Sequence, residues 1–361
     1  MHHKVKLVAV AKDESAYLAD WIQHHLFFGF AEIHVYINRT SDDSAKVLNS
    51  ISQLHDNVTF SHADWIDQLP PPSKKNLQHI CYMQALSSIE PDITHLLFLD
   101  VDEYWVSQRY TCINDFLISC DKGQDLIVFE WLNEGVVTTP FLALPQRLTG
   151  KVHALGKSII NVSAIKNIKQ IRLHVPIMNE LSKVTLVDGE AFKCQPNLPQ
   201  HVAVNINSFK HTFIFHRMFR SEVEYLAALY RGNPEGDFPI KLNRNGYGYI
   251  NNENLQSYSF EQQLYAEYIE NKKQFLKECN IDKYILDAQN TVEKKTEQLK
   301  LMLPNLLAKK PQAVAKVLGN LKDEKINKIL SVHYKQSQAS KATQAAKPRG
   351  LKNRILKCFK F

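Results

Sequence analysis

Residues 96–105 read LLFLDVDEYW, a short apolar run that ends in a cluster of carboxylates. Four consecutive apolar residues bounded by polar ones predict a buried strand of a parallel sheet. Asp100 and Asp102 follow at the carboxyl end of that strand, where ligands bind to open α/β sheets. Because side chains alternate along a strand, the two carboxylates are predicted to face the same side. Such a pair is typical of a site for Mg²⁺ or Mn²⁺, although a solvated acidic turn is the alternative interpretation of a short D-x-D motif.

Strand and helix patterns alternate on both sides of this run. Strands are predicted at VKLVAVAK, EIHVYIN, VTFSHAD and DLIVFEW, and helices at residues 14–28, 41–54 and 74–89. Gly29 follows the first helix in the usual position of a helix stop. This βαβα order predicts an α/β fold in which a mostly parallel sheet is covered by helices.

The C-terminal third of the chain is predicted to be largely helical. The segment SEVEYLAALYRG (221–232) begins with a capping serine, whereas residues 233–257 are rich in Asn, Gly and Tyr and predict a surface loop. Residues 260–333 predict helices with a break at Pro304, and residues 337–348 predict a low-complexity linker. The expected organisation is a main domain at 1–257, a helical appendage at 258–333, and a basic linker and tail at 334–361.

Charge is distributed unevenly along the chain. The sequence has 44 Lys and Arg residues against 37 Asp and Glu residues, a net charge of +7. Residues 341–361 contain seven basic and no acidic residues, so the rest of the chain is neutral. Interleaved Leu, Ile and Phe predict an amphipathic tail that binds an anionic membrane surface, with a solvated, disordered tail as the alternative. The neutral body argues against nucleic acid as a partner.

The composition is that of an ordinary soluble protein, with 44% hydrophobic and 22% charged residues. Its six cysteines are scattered without a C-x-x-C pair, so their spacing predicts neither a zinc site nor a disulfide framework. No run of about 18 apolar residues is present, and hence no membrane-spanning helix is expected. We therefore expect a cytoplasmic protein that is at most peripheral at the inner face of the membrane.

Two further polar clusters follow predicted strands at the same edge of the sheet. Lys12, Asp13 and Glu14 come after the first strand, and the run from Asn38 to Asp43 follows the second. Asp13 is placed to bind the base or ribose of a nucleotide, although capping of the next helix would explain it equally well. Three successive strands thus deliver polar residues to one rim, which predicts a binding site there.

Several motifs resemble those of a known family. AKDESAYLADWIQHHLFFGFAEIHVYINRTSDDS (11–44) is similar to the opening of bacterial glycosyltransferases related to families 2 and 92. FLDVDEYW resembles the family's D-x-D-E-[FY] strand, LGKSIINVSAIKNIKQIRLHVP its K-[ST]-[IL] segment, and IFHRMFRSEVEYLAALYRG its late helix. Arg217 stands where the family has an aromatic residue, and EWLNEG (130–135) departs from the family pattern. The positions that match in the opening segment are Lys12, Glu14, Trp21, His25, Gly29, Asn38 and Asp42, and Thr40 replaces the usual serine.

The resemblance implies a GT-A (Rossmann-like) fold and a nucleotide-sugar donor, with a UDP-sugar and Mn²⁺ or Mg²⁺ as the expected donor and cofactor. It assigns Asp100 and Asp102 to the metal and the donor, with His216 completing the metal or diphosphate site. Lys157 and Arg220, or Arg231 in addition, would meet phosphate charge. Without the resemblance, His216 in the apolar run FIFHRMF is more simply a core histidine. The residues that the resemblance places along the nucleotide are Lys12, Asp13, Glu14, Asn38 and Asp42.

The resemblance also implies inversion at the sugar carbon, which needs a general base for the acceptor hydroxyl. Glu130, near the end of a predicted strand, is the first candidate, with Glu134 and Asp237 as others. The expected acceptor is a cell-surface glycan or glycolipid, such as lipopolysaccharide or capsule. Two alternatives stay open: a metal-dependent nucleotidyltransferase or phosphatase, and a non-catalytic glycan-binding module of the same fold.

Overall fold

A computed structural model of the protein describes residues 2–70, 73, 75–203, 209–232, 238–249 and 254–346. The strands are β1 (Val5–Ala11), β2 (Glu32–Ile37), β3 (Val58–His62), β4 (His95–Phe98), β5 (Glu103–Ser107), β6 (Leu126–Glu134), β7 (Arg147–Asn161), β8 (Ile168–Gln170), β9 (Ile177–Met178), β10 (Val184–Leu186), β11 (Cys194–Gln195), β12 (Leu198–Val202), β13 (Thr212–His216) and β14 (Gln256–Ser259). The α-helices are α1 (Leu18–Phe27), α2 (Ser44–Ser52), α3 (Leu77–Ser87), α4 (Ile113–Cys120), α5 (Glu222–Tyr230), α6 (Gln262–Cys279), α7 (Asp282–Lys309), α8 (Pro311–Val317) and α9 (Glu324–Ala346).

The main sheet has the strand order β3-β2-β1-β4-β7-β6-β13-β5, with β10 beside β6 and β14 beside β7. Five of its nine pairings among the described residues are parallel and four are antiparallel. The prediction of an α/β fold with a mostly parallel sheet is therefore confirmed. The antiparallel pairings all involve strands from the second half of the order, where β7 runs against both β4 and β6.

The parallel half of the sheet brings three strand ends to one edge. In register, β1 pairs with β2 from Lys6 to Ala11 and with β4 from Val5 to Val8. The inward residues of these strands are almost entirely apolar and buried, which is the pattern of a sheet covered on both faces. The polar segments after β1, β2 and β4 therefore leave the core together, because carboxyl ends of parallel strands lie at the same edge.

The strand predicted within residues 96–105, on which Asp100 and Asp102 would face the same side, is wrong in one respect, since the structure divides it in two. β4 ends at Phe98, residues 101–102 form a turn, and β5 begins at Glu103 and pairs with β13 in antiparallel fashion. The turn is closed by the Glu103 amide, which donates to the Asp100 carbonyl at 3.0 Å, and by the Asp100 amide, which donates to the Glu103 carboxylate at 2.8 Å. Strand alternation therefore does not determine where the two aspartates point.

The C-terminal helices share their core with the sheet. Phe260, Tyr268 and Phe275, from the start of the helical region through α6, belong to the same buried cluster as β1 and α1. The predicted domain boundary at 257/258 lies inside β14, which pairs with β7. The chain is thus continuous across that boundary in both its sheet and its core.

The predicted helix break at Pro304 is wrong, because α7 runs through it from Asp282 to Lys309. A proline inside a helix costs one backbone hydrogen bond. The helix nevertheless continues because Leu299, Leu303 and Leu306 on its inner face are buried in a second apolar cluster with α5, α8 and α9. The actual break comes at Lys310, directly before Pro311 at the first turn of α8.

The predicted linker at 337–348 is also wrong as far as the structure describes it, since α9 extends to Ala346. Alanine, lysine and glutamine dominate this segment and are strong helix formers, so low complexity here does not prevent a helix. Residues 347–361, which include most of the basic tail, lie outside the described residues. No helix in the described part of the chain is long and apolar enough to cross a bilayer.

Candidate active site

The site lies at the edge where β1 and β4 end, completed by the end of β13. β13 runs antiparallel to β5, so that His216 at its end pairs with Glu103 at the start of β5. The Arg217 amide donates to the Asp102 carbonyl at 2.8 Å. This bond fastens the segment after β13 to the turn between β4 and β5 that carries Asp100 and Asp102, called the aspartate turn below. Residues more than a hundred positions apart in sequence therefore meet at one edge.

Asp100 is held by two side chains from neighbouring elements. Its Oδ2 lies 3.2 Å from the Lys157 ammonium of β7, and its Oδ1 accepts from the Gln78 amide of α3 at 2.9 Å. Lys157 also lies 3.0 Å from the carboxylate of Glu103, and both of these side chains are buried. The lysine therefore forms an ion pair with two carboxylates of the D-x-D-E motif at once.

Burial and charge act against each other in this cluster. Burial raises the pKa of Glu103 to about 7, although the nearby Lys157 ammonium opposes the rise. Burial by itself would lower the pKa of Lys157, but Asp100 and Glu103 outweigh it and raise that pKa well above its usual range. Lys157 is thus a buried cation that fixes Asp100, and its contact with a phosphate stays a prediction.

Asp102 faces His216 rather than Lys157. Its Oδ2 lies 3.6 Å from the His216 Nε2, while the His216 Nδ1 is 3.0 Å from the Asn133 Oδ1. When the Nδ1–H donates to Asn133, the Nε2 presents its lone pair to the Asp102 carboxylate. Two acceptor atoms then face each other, an arrangement that a bound cation satisfies.

The environment keeps the Asp102 carboxylate ionised. Burial alone would raise the pKa of Asp102, but positive charge at His216, followed by Arg220 and Arg244, holds it well below its ordinary value. Beside a neutral His216, a bound cation would supply that first charge. The Arg220 guanidinium stacks on the Tyr17 ring, 3.4 Å from its centroid, and donates to the Val101 carbonyl at 3.4 Å. A charged carboxylate is the form that binds a divalent cation.

Cationic side chains outnumber carboxylates around this edge. Arg220 and Arg231 both pair with Glu14, at 3.4 Å for Arg220. Burial, together with the charges of Arg231 and Arg244, lowers the pKa of Lys241 to about 8. The described residues include no hydrogen-bond acceptor for the Lys241 ammonium. Arg220, Arg231, Lys241 and Arg244 thus face three carboxylates, Glu14, Asp102 and Glu224, and the excess positive charge suits an anionic ligand.

Arg220 holds an uncommon backbone conformation at this edge. Its φ is 53°, in the left-handed region that costs a non-glycine residue roughly 1 kcal/mol. Directly after it, Ser221 and Glu224 form a capping box that starts α5. The cap sets where the helix begins, and the unusual turn before it directs the Arg220 side chain back towards Glu14 and the aspartate turn.

Two of the residues predicted to lie along a nucleotide, Asp13 and Asp42, form bonds within the protein. Asp13 accepts from the Ser41 amide at 2.7 Å and pairs with Lys295 of α7 at 2.9 Å. Asp42 accepts from the Ser15 amide at 2.9 Å. These bonds tie the loop after β1 to the loop after β2.

The remaining members of that predicted set occupy different positions. Asn38 donates to the Ala63 carbonyl at 3.1 Å and is buried. Lys12 contributes its carbonyl to Arg231 at 3.2 Å. Glu14, through its two arginines, is the member of the set that adjoins the aspartate turn.

Within the described residues, the structure brings no candidate base into contact with the side chain of Asp102. The Glu130 carboxylate on β6 accepts from the Lys210 amide at 3.2 Å and is buried, and burial raises its pKa. No contact joins Glu130 to Asp100, Asp102 or His216 among the described residues. Asp237 lies outside the described residues. Glu134, the third candidate, pairs with Arg217 at 3.1 Å and is buried with it.

An aromatic cluster adjoins the Asp102–His216 pair. The Trp131 ring centroid lies 4.3 Å from that of His216 and 4.9 Å from that of His174, with His153 at 6.0 Å. The Trp131 indole N–H is buried and has no acceptor among the described residues. Burial lowers the pKa of both His153 and His174 to about 4, so these rings are neutral near pH 7.

Sequence reasoning missed several of these residues. Glu103 has no predicted role of its own, although a charged residue followed by Tyr and Trp in an apolar run is a signal for a buried ion pair. Lys157 in LGKSII carries the same signal from the other side of the pair. Lys241 and Arg244 belong to a segment predicted only as loop, and no local pattern relates them to Asp102.

Comparison with known proteins identifies the family. The sequence model of glycosyltransferase family 92 matches residues 8–211, more than half of the chain. No curated protein matches the sequence of this chain. Among solved structures, the chain resembles S. aureus TarS at 12% identity over 45% of this chain and 29% of that one, with a TM-score of 0.27.

Two other structures resemble parts of the chain. The galactosyltransferase LgtC, in complex with donor and acceptor sugar analogs, is 18% identical over 34% of this chain and 46% of that one, with a TM-score of 0.24. Glucosyl-3-phosphoglycerate synthase from Mycobacterium tuberculosis, in complex with Mn²⁺, UDP and phosphoglyceric acid, is 13% identical over 37% and 44%, also with a TM-score of 0.24. The chain therefore covers less than half of the length of each of these structures. On the family match, the chain belongs to glycosyltransferase family 92.

Proposed function

We propose that the protein transfers a sugar from a UDP-sugar to a cell-surface glycan or glycolipid acceptor, with inversion, and that it requires Mn²⁺ or Mg²⁺. The observation that carries this proposal is the Asp102–His216 pair, 3.6 Å apart at the edge of the sheet and adjoined by four cationic side chains. A nucleotide diphosphate is anionic and binds divalent cations, so it matches both halves of this arrangement.

Asp102 and His216 are the residues that would hold the metal. Their facing acceptor atoms fit a cation, whereas the Asp100 carboxylate is already occupied by Lys157 and Gln78. A bound divalent ion would neutralise charge on the diphosphate leaving group. Asp100 then serves the site through its ion pair with Lys157, which holds the aspartate turn in one conformation.

The cationic side chains would bind the diphosphate oxygens. Lys241 and Arg244 make no ion pair with another described residue, so an incoming phosphate does not have to displace a carboxylate from them. Arg220 and Arg231 are shared with Glu14, which orients both guanidinium groups. Charged hydrogen bonds of this kind each contribute about 1.5–3 kcal/mol.

Glu130 and Asp237 remain the candidates for the general base. The raised pKa of Glu130 supports proton acceptance, because a base works best when its pKa approaches the working pH. The activities of Glu130→Gln and Glu134→Gln should be compared, because Glu134 pairs with Arg217 whereas Glu130 is the first candidate for the base. A base is supported when kcat falls and nucleotide affinity is unchanged.

The acceptor class rests on the resemblance and on the basic tail at 341–361. Each basic residue close to an anionic surface contributes about 1 kcal/mol of attraction, so seven of them favour a peripheral position at the inner membrane face. Sedimentation with vesicles that contain anionic lipid tests this. Full-length protein should pellet and a chain that ends at Ser340 should not; equal pelleting would remove the membrane from the proposal.

The decisive experiment is calorimetric titration with UDP, GDP and CMP, each with and without Mn²⁺. The wild type should bind one of the nucleotides only when Mn²⁺ is present. Asp102→Asn should bind that nucleotide no more tightly with Mn²⁺ than without it. Asp92→Asn is the matched control, since Asp92 is an exposed aspartate near the opposite end of β4 that pairs with Lys4. Nucleotide binding that ignores both metal and Asp102 would contradict the proposal.

Product analysis then separates the competing chemistries. A glycosyltransferase releases a nucleoside diphosphate from the donor, whereas a nucleotidyltransferase releases pyrophosphate. A non-catalytic glycan-binding module would bind glycan but turn over no donor, with or without Asp102.

A further inference from the structure

A second cluster of metal-binding side chain types lies at the opposite edge of the sheet. His3 precedes β1, His95 is the first residue of β4, and Asp121 directly follows α4. One ligand atom from each of the three lies within 4.8 Å of the others. In the part of the chain that the structure describes, this is the one group of three or more His, Cys, Asp or Glu side chains that converges in this way.

The distances within the cluster suit a tetrahedral metal. The His95 Nε2 lies 3.3 Å from the Asp121 Oδ2, and the His3 and His95 ring centroids are 5.2 Å apart. Ligands at the usual Zn²⁺ bond lengths of about 2.0–2.1 Å stand about 3.3–3.4 Å apart on the edge of a tetrahedron. The observed nitrogen–oxygen separation is thus compatible with Zn²⁺ without rearrangement of this pair.

The proton positions around His95 decide which atom faces Asp121. The Thr94 Oγ1 lies 3.0 Å from the Lys4 carbonyl and 3.0 Å from the His95 Nδ1. When the Thr94 hydroxyl donates to the Lys4 carbonyl, its Oγ1 accepts from the His95 Nδ1–H. In that tautomer the His95 Nε2 directs a lone pair at the Asp121 carboxylate, and a cation bound between these two acceptor atoms satisfies both.

Protonation of His95 would also satisfy that contact, but the surroundings oppose it. Burial lowers the pKa of His95 to about 4 and also lowers the pKa of His3, despite the nearby Asp121 carboxylate. The neutral imidazole is the form that binds metals. No lysine or arginine forms an ion pair with Asp121 among the described residues.

Each ligand is also held from behind by a second bond. Thr94 fixes the His95 ring, and the Gly123 amide donates to the Asp121 Oδ1 at 2.8 Å, which leaves the Oδ2 free for the cluster. The His3 amide donates to the Asn114 Oδ1 at 2.8 Å. Such supporting bonds orient ligands in protein metal sites.

We propose that His3, His95 and Asp121 bind a Zn²⁺ ion, with water as the fourth ligand, and that the ion fastens the segment before β1 to β4 and α4. Two imidazoles and one carboxylate favour Zn²⁺ over Mg²⁺ or Mn²⁺, which prefer oxygen ligands. The site is separate from the Asp102–His216 pair and does not depend on the proposed transfer reaction. It escapes a search by cysteine spacing because it contains no cysteine.

The test is titration of the full chain with Zn²⁺ in competition with a chromophoric chelator, together with visible spectra of the Co²⁺-loaded protein. The His216→Ala variant, which removes a ligand of the active site, provides the background for counting. It should retain one equivalent of Zn²⁺ and the visible bands of tetrahedral Co²⁺. His3→Ala and Asp121→Asn in this background should weaken Zn²⁺ binding more than about 100-fold, and Thr94→Val about 10- to 100-fold.

His62→Ala is the matched control, because His62 forms an exposed pair with Asp64 at 3.5 Å and has no third ligand. It should leave the Zn²⁺ affinity unchanged. His3 is chosen ahead of the buried His95 because it is only partly buried, so its removal is compatible with folding, which circular dichroism checks. Zn²⁺ affinity that stays the same in folded His3→Ala and Asp121→Asn, or the absence of a bound equivalent in the background protein, would overturn the proposal.

Discussion

The short strand β4 has a polar cluster at each end, and the two clusters differ in charge. Beyond its carboxyl end, Asp100 pairs with Lys157, and Asp102 faces His216, with Arg220 and Arg244 nearby. At its amino end, His95 faces Asp121 and His3, without an ion pair to lysine or arginine among the described residues. An edge rich in cations suits a metal together with an anionic ligand, whereas neutral imidazoles and one carboxylate suit a cation alone.

The largest effect is expected on stability, from removal of the buried Lys157 at the carboxyl end of β4. Lys157→Met leaves the Glu103 and Asp100 carboxylates without their cation, which should lower the free energy of unfolding by about 3–5 kcal/mol. Urea unfolding followed by circular dichroism measures it. The double variant Lys157→Met/Glu103→Gln should recover part of the loss, because it removes the uncompensated buried charge.

Lys169→Met serves as the control for that substitution. Lys169 is exposed and only 3.9 Å from an exposed Glu180, so its loss should change stability by no more than about 0.5 kcal/mol. If Lys157→Met were as mild as Lys169→Met, the buried ion pair would not be what holds the aspartate turn.

The next effect concerns the metal half of the same edge. Asp102→Asn should reduce the rate of sugar transfer about 10²- to 10³-fold, the range seen when one electrostatic stabiliser of a transition state is removed. Initial rates of donor turnover at saturating Mn²⁺ measure it, with Asp92→Asn as the control. A transfer rate equal to that of Asp92→Asn would separate Asp102 from the chemistry.

The cationic side chains near Asp102 should show a smaller effect, on the affinity for the nucleotide. Arg244→Ala should weaken binding of a nucleoside diphosphate about tenfold, since one charged hydrogen bond is lost, and should affect the nucleoside alone much less. Titration of UDP and uridine measures the difference. Lys46→Ala, which removes an exposed lysine of α2, is the control; equal losses for UDP and uridine would place Arg244 away from the phosphates.

The smallest effect on catalysis is expected at the amino end of β4. Asp121→Asn should leave the transfer rate within about twofold of wild type and, in the His216→Ala background, should abolish the stabilisation by Zn²⁺. At a Zn²⁺ concentration about 100 times its Kd, a bound ion contributes about 2.7 kcal/mol, which raises Tm by several degrees. Thermal unfolding with and without Zn²⁺ checks this. A Tm that still rises with Zn²⁺ after the substitution would show that Zn²⁺ does not bind through Asp121 at the amino end of β4.

Much of the fold could be predicted because its signals are local. Apolar runs such as residues 96–99 have the composition of buried strands, and the glycine and capping signals around α1 and α5 are read within a few residues. The errors arose where tertiary packing outweighed a local cost. Pro304 lies inside a helix because the leucines around it are buried, and the strand predicted to continue through Asp102 turns because Glu103 bonds back to Asp100.

The candidate site could be predicted only in part for a related reason. Asp100, Asp102 and His216 were predicted as one group, yet Asp100 bonds to Lys157 and Gln78 while Asp102 faces His216. Neighbours along the chain can thus have partners on different strands. Asp13 shows the same limit, since its pairing with Lys295 joins residues from opposite ends of the protein.

The sequence by itself determined the α/β class, the apolar strand before the D-x-D motif, and the family to which the chain belongs, because each depends on residues close together in the chain. Only the tertiary structure decided that Lys157 neutralises Asp100 and Glu103, that Asp102 faces His216, and that His3, His95 and Asp121 converge. Those contacts depend on which strands become neighbours in the sheet. Strand order is set by burial across the whole core, and no local segment of the sequence carries that information.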